Sequence, residues 1–405
     1  GRLDPTGQKG RLMNIPVNLA SGSLAERAMR VASVAKAHAD GVDQKGCFPE
    51  DAINAMKAER LFSIQIPREL GGEGATTGEI AELCSIIGQA CASSAMVFAM
   101  HHIKLSSLVE HGMDSDWHRG FMKKIVSDQL LIGSATTEGG IGGNLRNSLC
   151  AIEVEGDTCR LTKDATVISY ATKADAILIT SRAHADAAPS DQVMTAFLKH
   201  QYSLEKTNDW DTLGMRGTCS EGFVFKGEAS KDQIFPKPFA EIAAQSMLAN
   251  SHILWSGVWY GIAVDAVNRA QAFIRAAARK QPGTIPPGAI RLAEVSNLLQ
   301  MMKSNVVAAI KSYDEARQDE DKLSSVAFAV AMNNVKIASS ETILTIINHA
   351  MLICGIMGYK NGTPFSLGRH LRDAHSAQLM ISNDRILGNT SNMLLIHKQD
   401  TSLLG

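Results

Sequence analysis

Apolar residues recur with a helical period through the first third of the chain. Behind Ser23-Leu24-Ala25-Glu26, which reads as a capping box, Leu24, Ala28, Val31 and Ala35 share one helix face. Phe48-Pro49-Glu50-Asp51 places a proline and two acids in the first turn of a second helix, followed by Ile53, Met56 and Leu61. A glycine-rich turn, 70–74, leads to Thr76 or Thr77 as the next cap. From Ile80 through Met100 the chain is apolar on so many sides that it predicts a buried helix. From about Gln129 the pattern changes to short β-branched runs between turn signals, at 150–154, 166–169, 176–180, 193–198 and 222–226. Beyond Pro236 and Pro238 the helical period returns over 240–280, 289–317, 323–355 and 369–398. The expected fold class is therefore α+β: an N-terminal all-α domain (13–128), a central antiparallel β domain (129–238) and a C-terminal four-helix bundle (239–405). Residues 1–12, ahead of Met13, read as a leader foreign to the native chain.

Composition narrows the function. Forty basic residues against 41 acidic ones leave a net charge of −1, so no electrostatic footprint for nucleic acid is visible. The seven cysteines are scattered without a C-x-x-C pair, which argues against a zinc site or a disulfide framework and for a reducing, cytoplasmic setting. No 18-residue run is wholly apolar, so no membrane span is expected.

One short stretch carries candidate chemistry. Ala135-Thr136-Thr137-Glu138-Gly139-Gly140-Ile141-Gly142-Gly143-Asn144 matches neither G-x-G-x-x-G nor the P-loop, so a phosphate cradle of those kinds is not expected. Its glycines permit either a tight turn or close backbone approach to a bulky planar ligand, and spacing alone does not choose between them.

The domain order and five motifs together resemble the acyl-CoA dehydrogenase family of flavoproteins across the chain from Met13. The motifs are the proline, acid, glycine-glycine turn at 66–74; the threonine-glutamate stretch at 135–144; Gly214-Met215-Arg216-Gly217-Thr218-Cys219-Ser220; the glycine-rich turn at 355–359; and Arg372-Asp373-Ala374. The resemblance implies FAD, with Thr136, Thr137, Gly142, Gly143 and Ser169 at the flavin rim. It also implies that Arg279 reaches the flavin pyrophosphate of a neighbouring subunit, hence a homodimer or homotetramer. Departures are visible: Gly143 replaces a serine, Val167 a tryptophan, Pro282 a phenylalanine and Leu352 a glutamine.

The implied activity is dehydrogenation of an acyl thioester carried by CoA or an acyl carrier protein, with electrons passing to an electron-transfer partner. That chemistry needs a carboxylate base at the α-carbon, opposite the flavin. The two positions where the family keeps its glutamate match Gly388 and Ser251, so the usual base is missing. Asp384, one helical turn before Gly388, and His252 are the substitutes; Asp384 reads equally as an exposed ion-pair residue, and a bundle histidine such as His252 is more often structural. Two further readings stay open: a two-component monooxygenase fed by a flavin reductase, in which the His101-His102 pair serves oxygen chemistry, and a non-catalytic flavin- or carrier-binding protein.

Overall fold

The computed structural model describes residues 21–138 and 148–404. Gly139, Gly140, Gly142 and Gly143 lie outside the described residues. The N-terminal part is helical: α1 (Leu24–Lys45), α2 (Glu50–Ala58), α3 (Thr77–Gly88), α4 (Ala92–His111) and α5 (Asp116–Asp128). Ser23 caps α1 by accepting the Glu26 N–H at 3.2 Å. Thr76 and Glu79 form a reciprocal capping box on α3, both bonds at 3.1 Å. The apolar run from Ile80 is two helices rather than one, broken at Gln89–Cys91, and both pack on the bundle helix Leu248–Lys280. α3 presses so closely on the bundle that a Cβ on Gly261 would stand 2.4 Å from the Ser85 carbonyl.

Two sheets follow, β1-β4-β5 and β2-β3-β7-β6, built from β1 (Ile132–Ala135), β2 (Glu153–Glu155), β3 (Thr158–Ala165), β4 (Ala176–Arg182), β5 (Gln192–Leu198), β6 (Tyr202–Asn208) and β7 (Gly222–Ser230). One pairing departs from the antiparallel expectation: β1 and β4 run parallel. Parallel neighbours need a long crossover, and the passage through β2 and β3 of the other sheet provides it. The expected strand at 166–169 is instead an irregular segment, held by the Ile168 and Tyr170 N–H groups to the carbonyls of Glu221 and Thr218 at 2.8 Å each.

The C-terminal part begins with α6 (Phe239–Ile242) and a π-helical turn, Ala243–Met247. Then come α7 (Leu248–Lys280), α8 (Ala289–Ala316), α9 (Glu320–Leu323), α10 (Val326–Cys354), α11 (Ile356–Tyr359), α12 (Gly368–His375) and α13 (Asn383–Leu394). By length and composition α10 is apolar enough to cross a membrane. Here it packs against α7 and α8, which accounts for its apolarity as bundle core. The helix expected over 369–398 is broken between α12 and α13. Buried Lys336 of α10 explains the break: its Nζ donates to the carbonyls of Ala377 (2.8 Å) and Ile381 (2.9 Å) and to Asn383 Oδ1 (2.6 Å), and Ile381 has φ of 50°. Carbonyls given to a lysine are not bonded in a helical ladder, so the chain turns there.

Candidate functional site

A cavity of about 590 Å³ lies where the three parts meet, within the range typical of cofactor and ligand sites. One wall is α4, with Met96, Met100, Ile103 and Lys104; a second is the edge of the β domain, with Ser134, Thr136, Thr137, Val167, Ser169 and Tyr170. The start of α7 brings Ser251 and Trp255, and the break after α12 brings Leu379, Met380 and Ile381. The 210–220 turn closes the remaining side.

That turn is seated by glycines. A Cβ on Gly214 would fall 2.2 Å from the Arg372 carbonyl, and one on Gly217 would fall 2.4 Å from Val42. Asp373, buried behind it, accepts the Met215 N–H. Arg372 pairs with both carboxylate oxygens of Asp43 at 2.8 and 2.6 Å and donates to the Leu213 carbonyl at 3.0 Å. Two of the sequence motifs are thus one packed unit.

The polar rim is directional. Thr137 Oγ1 donates to the Val167 carbonyl at 3.0 Å and accepts the Val167 N–H at 3.2 Å, so it joins the two rim segments and keeps one lone pair. Thr218 spends its proton on the Met215 carbonyl at 3.0 Å; Ser220 therefore donates to Thr218, and Ser169 to Ser220, each at 2.8 Å. Ser169 is left presenting lone pairs. The indole N–H of Trp255 has no partner among the described residues. Acceptors on one wall, an unspent donor on another and apolar faces between them fit a flavin, whose ring has one N–H among several acceptor edges around a flat apolar body.

Glu138 is structural. It accepts from Ser148 Oγ (2.7 Å), Leu149 N (3.0 Å) and Cys150 N (2.6 Å). Burial would raise its pKa, but these hydrogen bonds hold the carboxyl below its ordinary value.

The sequence-derived candidates scatter. Ser251 lines the cavity. His252, beside it in sequence, is turned into the bundle, fully buried, and desolvation followed by the charge of Lys336 pushes it down to about 3. Asp384 and Gly388 share a face of α13, as helical spacing requires, but both are exposed and neither lines the cavity. The segment that does enter from this region is 379–381, upstream of the matched position. Arg279 is exposed at the far end of α7, 28 residues beyond Ser251, which is about 42 Å along a helix.

The histidine pair is neither exposed nor free. His101 Nε2 donates to the Phe62 carbonyl at 2.8 Å while Nδ1 accepts the Ile132 N–H at 3.0 Å. His102 likewise donates to the Leu61 carbonyl at 2.9 Å and accepts from Gln65 at 3.2 Å. Both rings are consumed in joining α4 to the preceding loop and β1.

Models of the acyl-CoA dehydrogenase N-terminal and C-terminal domains match residues 24–128 and 242–389. The chain belongs to the acyl-CoA dehydrogenase family. A flavin is accordingly its cofactor. Among acyl-CoA dehydrogenase relatives, glutaryl-CoA dehydrogenase of Desulfococcus multivorans is 28% identical over 351 residues, covering 83% of this chain and 86% of its own. The amino sugar nitrososynthase DnmZ of Streptomyces peucetius is 22% identical over 350 residues, covering 84% of each. Among solved structures of the fold, the FMN-bound dibenzothiophene monooxygenase TdsC of Paenibacillus sp. A11-2 superposes with a TM-score of 0.81 at 17% identity, covering 93% of this chain and 98% of that one. The relatives of this chain thus include a dehydrogenase and a nitrososynthase, and a monooxygenase shares its fold.

Sequence reasoning missed Lys104, Trp255 and the 379–381 segment. For Lys104 a signal existed: it is the one acid or base in an otherwise apolar or small-residue run, Phe98 to Val109, apart from the two histidines.

Proposed function

We propose that this chain is a flavin-dependent monooxygenase, supplied with reduced flavin by a separate reductase and using oxygen as co-substrate. One observation carries the reading: among the described residues lining the cavity there is no aspartate or glutamate. Taking a proton from the α-carbon of an acyl thioester calls for a carboxylate against that carbon, and the candidates stand on the surface or in the bundle core. When bound, the flavin supplies the redox chemistry. The chain's own residues would hold it by Thr136, Thr137 and Ser169 at the rim, while Met96, Met100, Trp255 and Met380 keep water from the apolar interior.

Arg279 can reach a flavin only if a second copy holds it, so a dimer or tetramer belongs to this reading. The test supplies the purified chain with reduced flavin, isotopically labelled oxygen and a panel of aromatic, phenolic and amine substrates. Labelled oxygen in a product supports the proposal. Anaerobic bleaching of the bound flavin by an acyl-CoA or acyl-carrier thioester would overturn it in favour of dehydrogenation, the reading that likeness to glutaryl-CoA dehydrogenase favours. Absence of any flavin uptake by calorimetry would leave a carrier- or partner-binding role.

A further inference from the structure

Three lysines are buried among the described residues, and two have an evident structural task. Lys163 donates to the Ala135 carbonyl (3.0 Å), the Thr180 carbonyl (2.8 Å) and Thr180 Oγ1 (3.1 Å), tying β1 to β4. Lys336 likewise has three oxygen acceptors at the break after α12. Lys104 is different. It is 4% exposed on α4, its side chain lines the cavity, and its contact is the thioether sulfur of Met247 at 3.1 Å, another lining residue.

A thioether is a weak acceptor. An ammonium held against it has lost water without gaining a counter-charge, an arrangement that favours the neutral amine. Burial, with the nearby charge of Lys163 second, pushes Lys104 down to about 7. Among the described residues of the wall the other cationic side chain, Arg372, is paired with Asp43, and His375 is exposed.

We propose that Lys104 is the proton acceptor of this cavity and that the substrate is an apolar molecule carrying an acidic hydroxyl, a phenol being the simplest case. The proposal deepens the monooxygenase reading and rests on it. A cationic substrate would meet Lys104 without a carboxylate to offset it, and a permanent anion would have to be desolvated on entry. A neutral phenol enters uncharged. Its O–H bond then breaks as an N–H bond forms on Nζ, leaving a phenolate paired with the Lys104 ammonium; nothing is oxidised in this step. The phenolate is the electron-rich form of the ring and the one that an electrophilic oxygen donor attacks.

The test titrates the flavin-loaded protein with 3-nitrophenol, a phenol whose own pKa lies above that of Lys104, at a pH between the two, where both groups are neutral before they meet, and reads the difference spectrum. The expected result is a bound phenolate band with the wild type. Lys104→Met lacks the band and binds about tenfold more weakly or worse, the loss of one charge-assisted hydrogen bond. Lys104→Arg supplies a permanent cation that pairs with the phenolate but cannot take up its proton, so it retains the band while releasing a proton to the buffer, and it guards against Lys104→Met failing to fold. A neutral bound phenol in the wild type, a band that survives Lys104→Met, or a wild type that releases a proton to the buffer on binding, as Lys104→Arg does, overturns the assignment. A phenolate band without labelled product from oxygen sinks the monooxygenase reading and leaves Lys104 standing. Oxygenation of an amine without a band in the wild type does the reverse.

Discussion

Asp373 Oδ1 accepts the backbone N–H of Met215 at 2.8 Å across 158 positions of sequence, locking the 210–220 turn of the β domain onto α12. Met215 needs that hold, because its φ of 49° places it in the left-handed region that few residues other than glycine and asparagine enter without cost.

Burial pushes the Asp373 carboxyl up to about 6, although the Met215 N–H pulls the other way. A carboxyl whose folded pKa lies above its unfolded value binds more protons when folded, so its contribution declines as pH rises from about 4 to about 6. Asp373→Asn keeps the acceptor oxygen and removes the titration. Its stability relative to wild type should therefore improve across that window, by up to about 3 kcal/mol, and be flat above it. Chemical denaturation at a series of pH values measures this; a difference independent of pH would refute it.

Buried histidines set the acid limit. Desolvation drives His101 and His118 down to about 4, and His111 similarly, with Lys237 adding to it. For a base with a lowered folded pKa, stability is fully present above the unfolded value near 6.5 and is lost as pH falls through about 4. Protonating His101 Nδ1 also removes the acceptor of the Ile132 N–H. The melting temperature should fall steeply below pH of about 6, and His101→Gln should have a lower plateau with a shallower fall. Equal slopes for the two proteins would sink this account.

Lys336→Met should cost about 2–4 kcal/mol, because three buried acceptors lose their donor. The same change frees the 379–381 segment that forms one wall of the cavity, so flavin affinity should weaken along with the melting temperature. Flavin fluorescence quenching separates the two effects: affinity unchanged in a destabilised variant would show that the break after α12 does not shape the site.

At the rim, Thr137→Val loses both hydrogen bonds to Val167, whereas Thr137→Ser keeps them. We expect the valine variant to bind flavin up to about thirtyfold more weakly, about 1 kcal/mol for each of the two bonds lost, and the serine variant to match wild type. Calorimetry of flavin binding decides it, and equal affinities for valine and serine would mean that the Val167 clamp is not needed.

The order of helical part, β part and bundle was legible because hydrophobic period survives in one dimension: α1, α3, α7, α8 and α10 each keep an apolar face. The parallel β1–β4 pair was not, since strand direction depends on how the crossover runs, and no local residue pattern encodes that. The break after α12 was hidden for a similar reason. Residues 376–382 lack proline or glycine, and what bends them is Lys336, about forty positions upstream. The rim was partly readable, with Thr136, Thr137, Ser169 and Ser251 reaching the cavity wall. The base candidates failed to reach it because motif matching placed the entering segment at Gly388, seven residues after Ile381, which is about two helical turns.

The contact between Gly214 and the Arg372 carbonyl leaves no space for even a methyl group. The 210–220 turn and α12 must therefore move, evolve and be engineered as a single piece. What remains adjustable is hung on that piece: Leu213, 62% exposed on the turn, and Leu379, 76% exposed just past the helix. Both line the cavity, and replacing them alters which molecules enter without disturbing the joint beneath. Laboratory diversification of substrate range has its natural starting point in these two leucines.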